Sequence, residues 1–347
     1  MTVPKRDETA AKVKASWRFC VAPMMDWTDR HCRYLHRMLS RHARLYTEMV
    51  TTGALLYGDA GKHLAFDPQE HPVALQLGGS EPEDLAKAAK LGATSGYNEI
   101  NLNCGCPSER VQRGAFGACL MREPSLVADC FKAMADAVSL PITIKHRLGL
   151  GRDEDLKLLE AFVGTLHHEG CRHFIVHARN AWLEGLSPKD NRDVSPLRYE
   201  AVYDLAQQFP DSVFVLNGGL TDHAQALHAI GSLDGVMLGR AAYQRPALLA
   251  EVDRIWFEAK DSNPTWTTLD RLVAALSGYR AYMIKQMALG MPLASMTRHM
   301  LGIFQGLPGA RIFRRDLSDQ QALRAQGIDW FDASLARFLT VQRTAAT

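Results

Sequence analysis

Glu99-Ile-Asn-Leu-Asn-Cys-Gly-Cys-Pro-Ser108, running on to Gly117-Ala-Cys-Leu-Met121, is the stretch on which the fold turns. Ile100 and Leu102 alternate with Asn101 and Asn103, the period-two pattern of a strand. Gly105 and Pro107 then end it, one by allowing a tight backbone, the other by fixing φ and removing a donor. The strand therefore hands polar and thiol groups to a glycine-spaced loop, and loops held on a rigid scaffold carry much of the chemistry of enzymes. Cysteine is among the most often buried residue types, so Cys104, inside the strand, reads as core. Cys106, between Gly and Pro just past the strand, is the candidate functional thiol.

Similar short apolar runs recur along the chain. Phe19–Ala22, Leu45–Met49, Val73–Leu77, Tyr97–Leu102, Ile142–Lys145, Phe174–His177, Val213–Leu216 and Gly235–Leu238 make eight expected strands. Amphipathic helical patterns lie between most of them, as at Pro82–Leu91, Ser125–Val138, Asp153–His168, Arg198–Phe209 and Asp222–Ile230. Strands alternating with helices imply parallel pairing, and eight such units imply a closed (β/α)8 TIM barrel. After Pro246–Phe257, expected as the closing helix, strand signals stop. Leu269–Leu289, Leu293–Phe304 and Ile328–Val341 read as helices of a C-terminal all-helical domain. The expected division is a flexible tail over 1–17, a barrel over 18–257, a linker over 258–266 and a helical domain over 267–347.

The composition is that of an ordinary globular chain: 347 residues, 47% hydrophobic and 22% charged. A formal net charge of +2 is too mild to imply a nucleic-acid partner by itself, so any basic surface must be local. Seven cysteines, an odd number, argue against a disulfide framework and for a reducing cytoplasm. No apolar run is long enough to span a membrane. No His, Cys and carboxylate spacing suits a metal, and Cys104 and Cys106 stand too close for an ordinary zinc pair.

In such a barrel the C-terminal strand ends form the active face. That rim carries Pro23-Met24-Met25, Glu48, Gln76, Asn103 with Cys106, Lys145 with Arg147, His177 with Arg179, Asn217-Gly218-Gly219, and Gly239-Arg240. The last two groups are Gly-bearing turns after strands seven and eight, where barrels often bind phosphate through backbone N–H groups, and Arg240 adds a planar donor fork. A phosphate there, with Lys145, His177 and Gln76 lining the mouth, suits a phosphorylated planar cofactor. A cation near a flavin ring stabilises its reduced anionic form, so FMN is the expected cofactor.

These residues resemble the tRNA-dihydrouridine synthases. The resemblance rests on Asn101 to Pro107, Gly114 and Gly117 to Met121, with Ala22 to Asp29, Gln76 to Gly79, Lys145, His177 to Arg179, Asn217 to Gly219 and Gly239 to Gln244 in the same order. Thr28 to Arg33, Leu186 to Lys189, Thr297 to Met300 and Gly306 to Arg315 are similar to the A-type bacterial subfamily. The resemblance implies reduction of uridines 20 and 20a in the tRNA D loop, with FMN and with NADPH (or NADH) as reductant. It implies Cys106 as the catalytic thiol. Pro23, Met24, Met25, Gln76, Lys145, His177, Asn217, Gly218, Gly219, Gly239 and Arg240 are implied as flavin-binding. Asn103 is implied to touch the target nucleotide, and Lys189, Arg192, Arg311 and Arg314 to orient the tRNA. No membrane and no obligate protein partner is expected, the chain acting as a monomer.

Reduction of the uracil C5=C6 bond needs a hydride at C6 and a proton at C5, and a thiol suits the second task because it is mostly protonated near neutrality. Lys145 and Arg147 are therefore expected nearer the flavin than the sulfur, since a strong cationic field would favour a thiolate. In the C-terminal region, basic residues interleaved with Tyr279, Tyr282, Phe304 and Phe313 are expected to meet phosphates and bases. Three other readings stay open on the residues alone. They are an FMN enzyme of free pyrimidines, a Schiff-base aldolase built on Lys145, and a non-catalytic RNA-binding module.

Overall fold

The computed structural model describes residues 16–152, 156–187, 189–258 and 265–346. The expected tail lies outside these residues up to position 15, and the expected linker over 259–264. Eight strands are present: β1 (Phe19–Val21), β2 (Leu45–Thr51), β3 (Val73–Gly78), β4 (Glu99–Cys104), β5 (Ile142–Arg147), β6 (His173–His177), β7 (Val213–Asn217) and β8 (Gly235–Leu238). They pair in parallel in the order β1-β8-β7-β6-β5-β4-β3-β2. A parallel bridge from Cys20 to Arg44 joins the two ends of that order, with Val21 N–H donating to Arg44 O at 2.9 Å. The architecture is a (β/α)8 barrel, as the alternation of short apolar runs and amphipathic helices requires.

Each strand sends alternate residues to the barrel axis and to the surrounding helices. On β4, Ile100, Leu102 and Cys104 are fully buried on the helix side. The axis is not uniform. Around β1, β2 and β6 to β8 it is filled by Cys20, Ala22, Tyr46, Ile175, Val215 and Met237, with Trp17 and Val213. Across β3 to β5 it carries Gln76, Glu99, Asn101, Asn103 and Thr143, all buried polar side chains.

The chain divides into two compact units. One holds Ala43–Gly239 with the chain up to Asp26; the other holds Trp27–His42 with Arg240–Thr347. In the second unit, helix Arg30–Leu39 packs on helix Thr268–Ala288. Tyr34 stacks on Tyr282 with ring centres 3.9 Å apart, and Tyr279 OH donates to His31 O at 3.1 Å. Phe304 stacks on Phe338 at 3.8 Å and meets Phe313 edge-on at 5.0 Å. The expected helix over Leu293–Phe304 is instead a short α-helix, Ala294–Thr297, and a 3-10 turn, Arg298–Met300, followed by further turns. Helices Ala310–Ser318 and Gln320–Gln326 have no counterpart in the sequence reading, and the expected closing helix is a 3-10 turn, Pro246–Glu251, leading into Val252–Trp256. Among the described residues, no helix is long and apolar enough to cross a membrane.

Candidate active site

The end of β4 is built around Asn103. Its Oδ1 accepts the backbone N–H groups of Gly105 at 3.1 Å and Cys106 at 3.0 Å, closing a turn that presents the thiol. Its Nδ2 donates to Gln76 Oε1 at 3.0 Å, tying β4 to β3. Cys106 is half-buried. Its carbonyl accepts the N–H of Ala118 at 2.9 Å, so Gly117 to Met121 folds back onto the thiol's turn. A Cβ on Gly117 would stand 2.7 Å from that carbonyl, and the residue's φ of +80° favours glycine. Cys104 points the other way and is fully buried; burial pushes its thiol well above the usual range, leaving an inert core sulfur.

Two cations stand beside this turn. Lys145, paired in register with Asn103, donates to Asn217 Oδ1 at 3.1 Å. Burial, then the charge of Arg147, lowers its pKa from 10.5 to about 7, with Cys106 acting the opposite way. Arg147 is buried and grips three carbonyls: Gly105 at 2.9 Å, Asn180 at 3.0 Å and Asn191 at 3.1 Å. It thus braces the thiol's turn against the loop after β6, a role with no sequence signal beyond a strand-end Arg. Neither Lys145 nor Arg147 makes an ion pair among the described residues. His177 is held far below its usual pKa by burial and then by Arg147, Lys145, Arg179 and Arg192, so its ring is neutral at pH 7.

At the end of β7, Asn217 Nδ2 donates to Met237 O at 2.7 Å. Gly218 and Gly219 follow with φ of +118° and +70°. A Cβ on Gly218 would meet the His177 ring at 2.7 Å, and one on Gly219 would meet Leu197 at 2.4 Å. Gly239 follows β8, and Arg240 opens the helix Arg240–Gln244 of the second unit. At the end of β1, Pro23 and Met24 are half-buried and Met25 is exposed; Met24 packs on the barrel core. Asp26 has a φ of +63°, and its N–H donates to Glu48 Oε1 at 2.5 Å.

The mouth therefore joins Lys145 and Arg147, which make no ion pair among the described residues, to a glycine turn that bare backbone must occupy. That set fits an anionic, planar, phosphorylated ligand. Among the described residues no group of His, Cys, Asp and Glu is arranged to hold a metal ion.

The tRNA-orienting candidates are surface residues. Lys189 precedes and Arg192 ends the short turn Asp190–Arg192 in the first unit, anchored by buried Asn191, whose side chain bonds both the N–H and the C=O of Trp182 at 2.7 and 2.9 Å. In the second unit, helix Ala310–Ser318 buries Phe313, Asp316 and Leu317 and exposes Arg311, Arg314 and Arg315. Other basic residues there are committed within the unit: Arg280 to Asp332, Arg337 to Asp316 and Arg298 to Asp29, each at 2.6 Å. The expected aromatic contacts are corrected outright. Tyr279, Tyr282, Phe304 and Phe313 are 0–4% exposed and form the core of the unit, not a face for bases.

Residues 20–338 match the family model described as Dihydrouridine synthase (Dus). The chain belongs to the dihydrouridine synthase family. It is 52% identical over 320 residues to the tRNA-dihydrouridine(20/20a) synthase of Yersinia pestis, covering 92% of this chain and 91% of that one. The protein of that name from Escherichia coli (strain K12) is 51% identical over 321 residues, 91% of each chain. That from Vibrio vulnificus (strain CMCP6) is 48% identical over 323 residues, 93% of this chain and 97% of that one. The match takes in barrel and helical unit alike, and as a dihydrouridine synthase the chain is an oxidoreductase.

Proposed function

We propose that this dihydrouridine synthase reduces the C5=C6 bond of uridine at positions 20 and 20a of the tRNA D loop, with FMN as its flavin and NADPH as reductant. The observation that carries the reading is the Cys106 thiol, half-buried on a turn pinned by Asn103, beside the Lys145 amine, which donates to Asn217 and makes no ion pair among the described residues.

Pro23 to Met25, Gln76, Lys145, His177, Asn217 to Gly219, Gly239 and Arg240 would hold the flavin. When bound, it supplies the hydride that adds to C6. The rest falls to the chain. Cys106 holds on its sulfur the proton destined for C5. As the C5=C6 π bond opens, the S–H bond breaks and a C5–H bond forms; the thiolate then regains a proton from solvent. Asn103, whose oxygen is taken by the thiol's turn, offers its remaining N–H to the pyrimidine edge. Lys145 supplies positive charge where negative charge collects, and burial makes that charge effective. Arg147 keeps the turn in place through the Gly105 carbonyl.

The target base must leave its stack to reach the mouth, at a cost of about a few kcal/mol. Phosphate contacts repay that cost, and Lys189 and Arg192 in the barrel unit and Arg311 and Arg314 in the helical unit are proposed to make them. On this reading the barrel is the catalytic domain and the C-terminal helices the tRNA-binding one. All seven cysteines are free, which suits a reducing cytoplasm.

The test is the visible spectrum of the purified protein. A flavin spectrum that bleaches with NADPH and recovers on adding unmodified tRNA is the expected result. Recovery with free uracil alone would point to a small-molecule pyrimidine reductase.

A further inference from the structure

We infer that Glu99, at the floor of the barrel, is a positioning residue that acts through Thr143 and Asn101 to fix which way the Gln76 and Asn103 amides face at the mouth. Glu99 is fully buried. Its Oε2 accepts from Trp17 Nε1 at 2.9 Å and Arg44 Nη1 at 3.0 Å. Its Oε1 accepts from Tyr46 OH at 2.8 Å and Thr143 Oγ1 at 2.6 Å.

A carboxylate paired with Arg44 only accepts, so the single proton of Thr143 is committed downward to Glu99. The Thr143 oxygen must then accept, and it takes Asn101 Nδ2 at 2.7 Å. That bond, with a longer one from the same Nδ2 to the Thr143 carbonyl at 3.4 Å, sets the Asn101 amide with its oxygen upward, where it takes Gln76 Nε2 at 2.7 Å. Gln76 Oε1 is left to accept Asn103 Nδ2 at 3.0 Å, and Asn103 Oδ1 to accept the Cys106 N–H at 3.0 Å. Every link donates toward Glu99. No amide can turn over alone, because turning one sets oxygen against oxygen on one side and nitrogen against nitrogen on the other. Asn103 has only an N–H left to offer a ring at the mouth, because its Oδ1 is filled by the Gly105 and Cys106 N–H groups, and Gln76 has one N–H and one lone pair of Oε1, so the pair favours a carbonyl-bearing edge over an amino-bearing one.

A purely structural purpose would not need this polar chain. The opposite half of the same barrel is filled by Ile175, Val215 and Met237, and an apolar filling avoids the desolvation that buried polar groups incur. The chain runs only under the half that bears Asn103 and Cys106.

The inference rests on the reading of Gln76 as facing the flavin and Asn103 as facing the target base. The test uses the flavin-loaded enzyme with Thr143→Val, which cuts the chain at nearly constant volume, and Thr143→Ser, which restores the hydroxyl. Asn101→Leu cuts one link higher should Thr143→Val fail to fold. Gln76→Ala and Asn103→Ala check the underlying reading. The readouts are the FMN dissociation constant, the flavin absorption spectrum, and iodoacetamide alkylation of Cys106 relative to Cys119, the other half-buried thiol, by peptide mass spectrometry. Loss of one oriented hydrogen bond is expected to weaken FMN about fivefold, shift the spectrum and change the alkylation ratio in the cut variants, with Thr143→Ser close to wild type. Wild-type values in the cut variants, with altered values in Gln76→Ala and Asn103→Ala, overturn the relay and leave the site reading intact. Wild-type values in all four overturn both.

Discussion

Asn103 Oδ1 accepts the backbone N–H of Cys106 at 3.0 Å, so the side chain that closes β4 also shapes the turn on which the thiol rides. A proton donor held this way contributes to the chemical step and not to flavin reduction. Cys106→Ala and Cys106→Ser are expected to lower the single-turnover rate with reduced enzyme and tRNA by about 10²–10⁴-fold. Bleaching of the flavin by NADPH should stay near wild type. Wild-type turnover in both variants would remove Cys106 from the acid role.

Lys145 gives a pH signature. Burial, then Arg147, lowers its pKa from 10.5 to about 7, so in the flavin-free fold the amine is mostly neutral above that pH. The unfolded chain keeps the proton up to about 10.4. Between these values the unfolded state binds more protons, and stability rises with pH. Lys145→Met should lose that rise and be more stable than wild type at pH 7, by about 1–2 kcal/mol after allowance for solvent at the mouth. Urea denaturation of both flavin-free proteins from pH 7 to 10 measures it; parallel curves would refute it.

How far the sequence speaks for the molecule differs by element. The strands are legible because each is a short apolar run stopped by Gly, Pro or a polar strand end, as at Gly105 and Pro107, and helix starts carry caps such as Asp222, which accepts from Gln225 N at 2.9 Å. Helix Ala310–Ser318 is not, because only Phe313 and Leu317 stand on its apolar side among charged neighbours. Cys106 and Asn103 are visible through their punctuation. Thr143, Arg44 and Trp17 are not, since only the closed barrel brings them to Glu99. Tyr279 and Phe313 look the same in sequence as RNA-stacking aromatics; burial alone separates the two cases.

The second unit is locked by a carboxylate. Asp29 caps helix Arg30–Leu39 by accepting from His31 and Cys32 N–H groups at 3.0 and 2.9 Å, and pairs with Arg298 at 2.6 Å and His299 at 3.0 Å. Burial alone would raise its pKa, but His299, the Cys32 N–H and Arg298 hold it well below the usual range. Such a group stabilises above the unfolded-state value of about 3.9 and loses that contribution as pH falls through the folded value. Asp29→Asn keeps a cap and loses the charge. It should cost about 2–4 kcal/mol at pH 7, with the gap to wild type narrowing below pH 4. Equal melting temperatures at pH 7 would contradict this.

Gly218 sits at a φ of +118°, and any Cβ there would strike the His177 ring at 2.7 Å. Gly218→Ala combines backbone strain with displacement of a residue proposed to hold the flavin. It is expected to cost about 1–3 kcal/mol and to leave the protein with less flavin per chain, read from the absorbance ratio at visible and ultraviolet wavelengths. Full flavin content with an unchanged melting temperature would show that the turn tolerates a side chain.

Arg311 and Arg314 carry the claim that the helical unit meets tRNA. Both are exposed on helix Ala310–Ser318. Arg311 makes no ion pair or hydrogen bond among the described residues, whereas Arg314 Nε donates to Leu301 O at 3.1 Å. Arg315 lies 3.7 Å from Asp316, so part of its charge is neutralised. Each cation that meets a phosphate releases a counterion and adds about one to the slope of log affinity against log salt. Arg311→Glu with Arg314→Glu should therefore weaken tRNA binding and flatten the slope by about two, while the far-ultraviolet circular dichroism stays that of wild type. Arg311→Glu alone, which disturbs no internal bond, should account for about half of that change. A slope equal to wild type in the double variant would move the phosphate contacts elsewhere and leave Lys189 and Arg192 as the cations to test next.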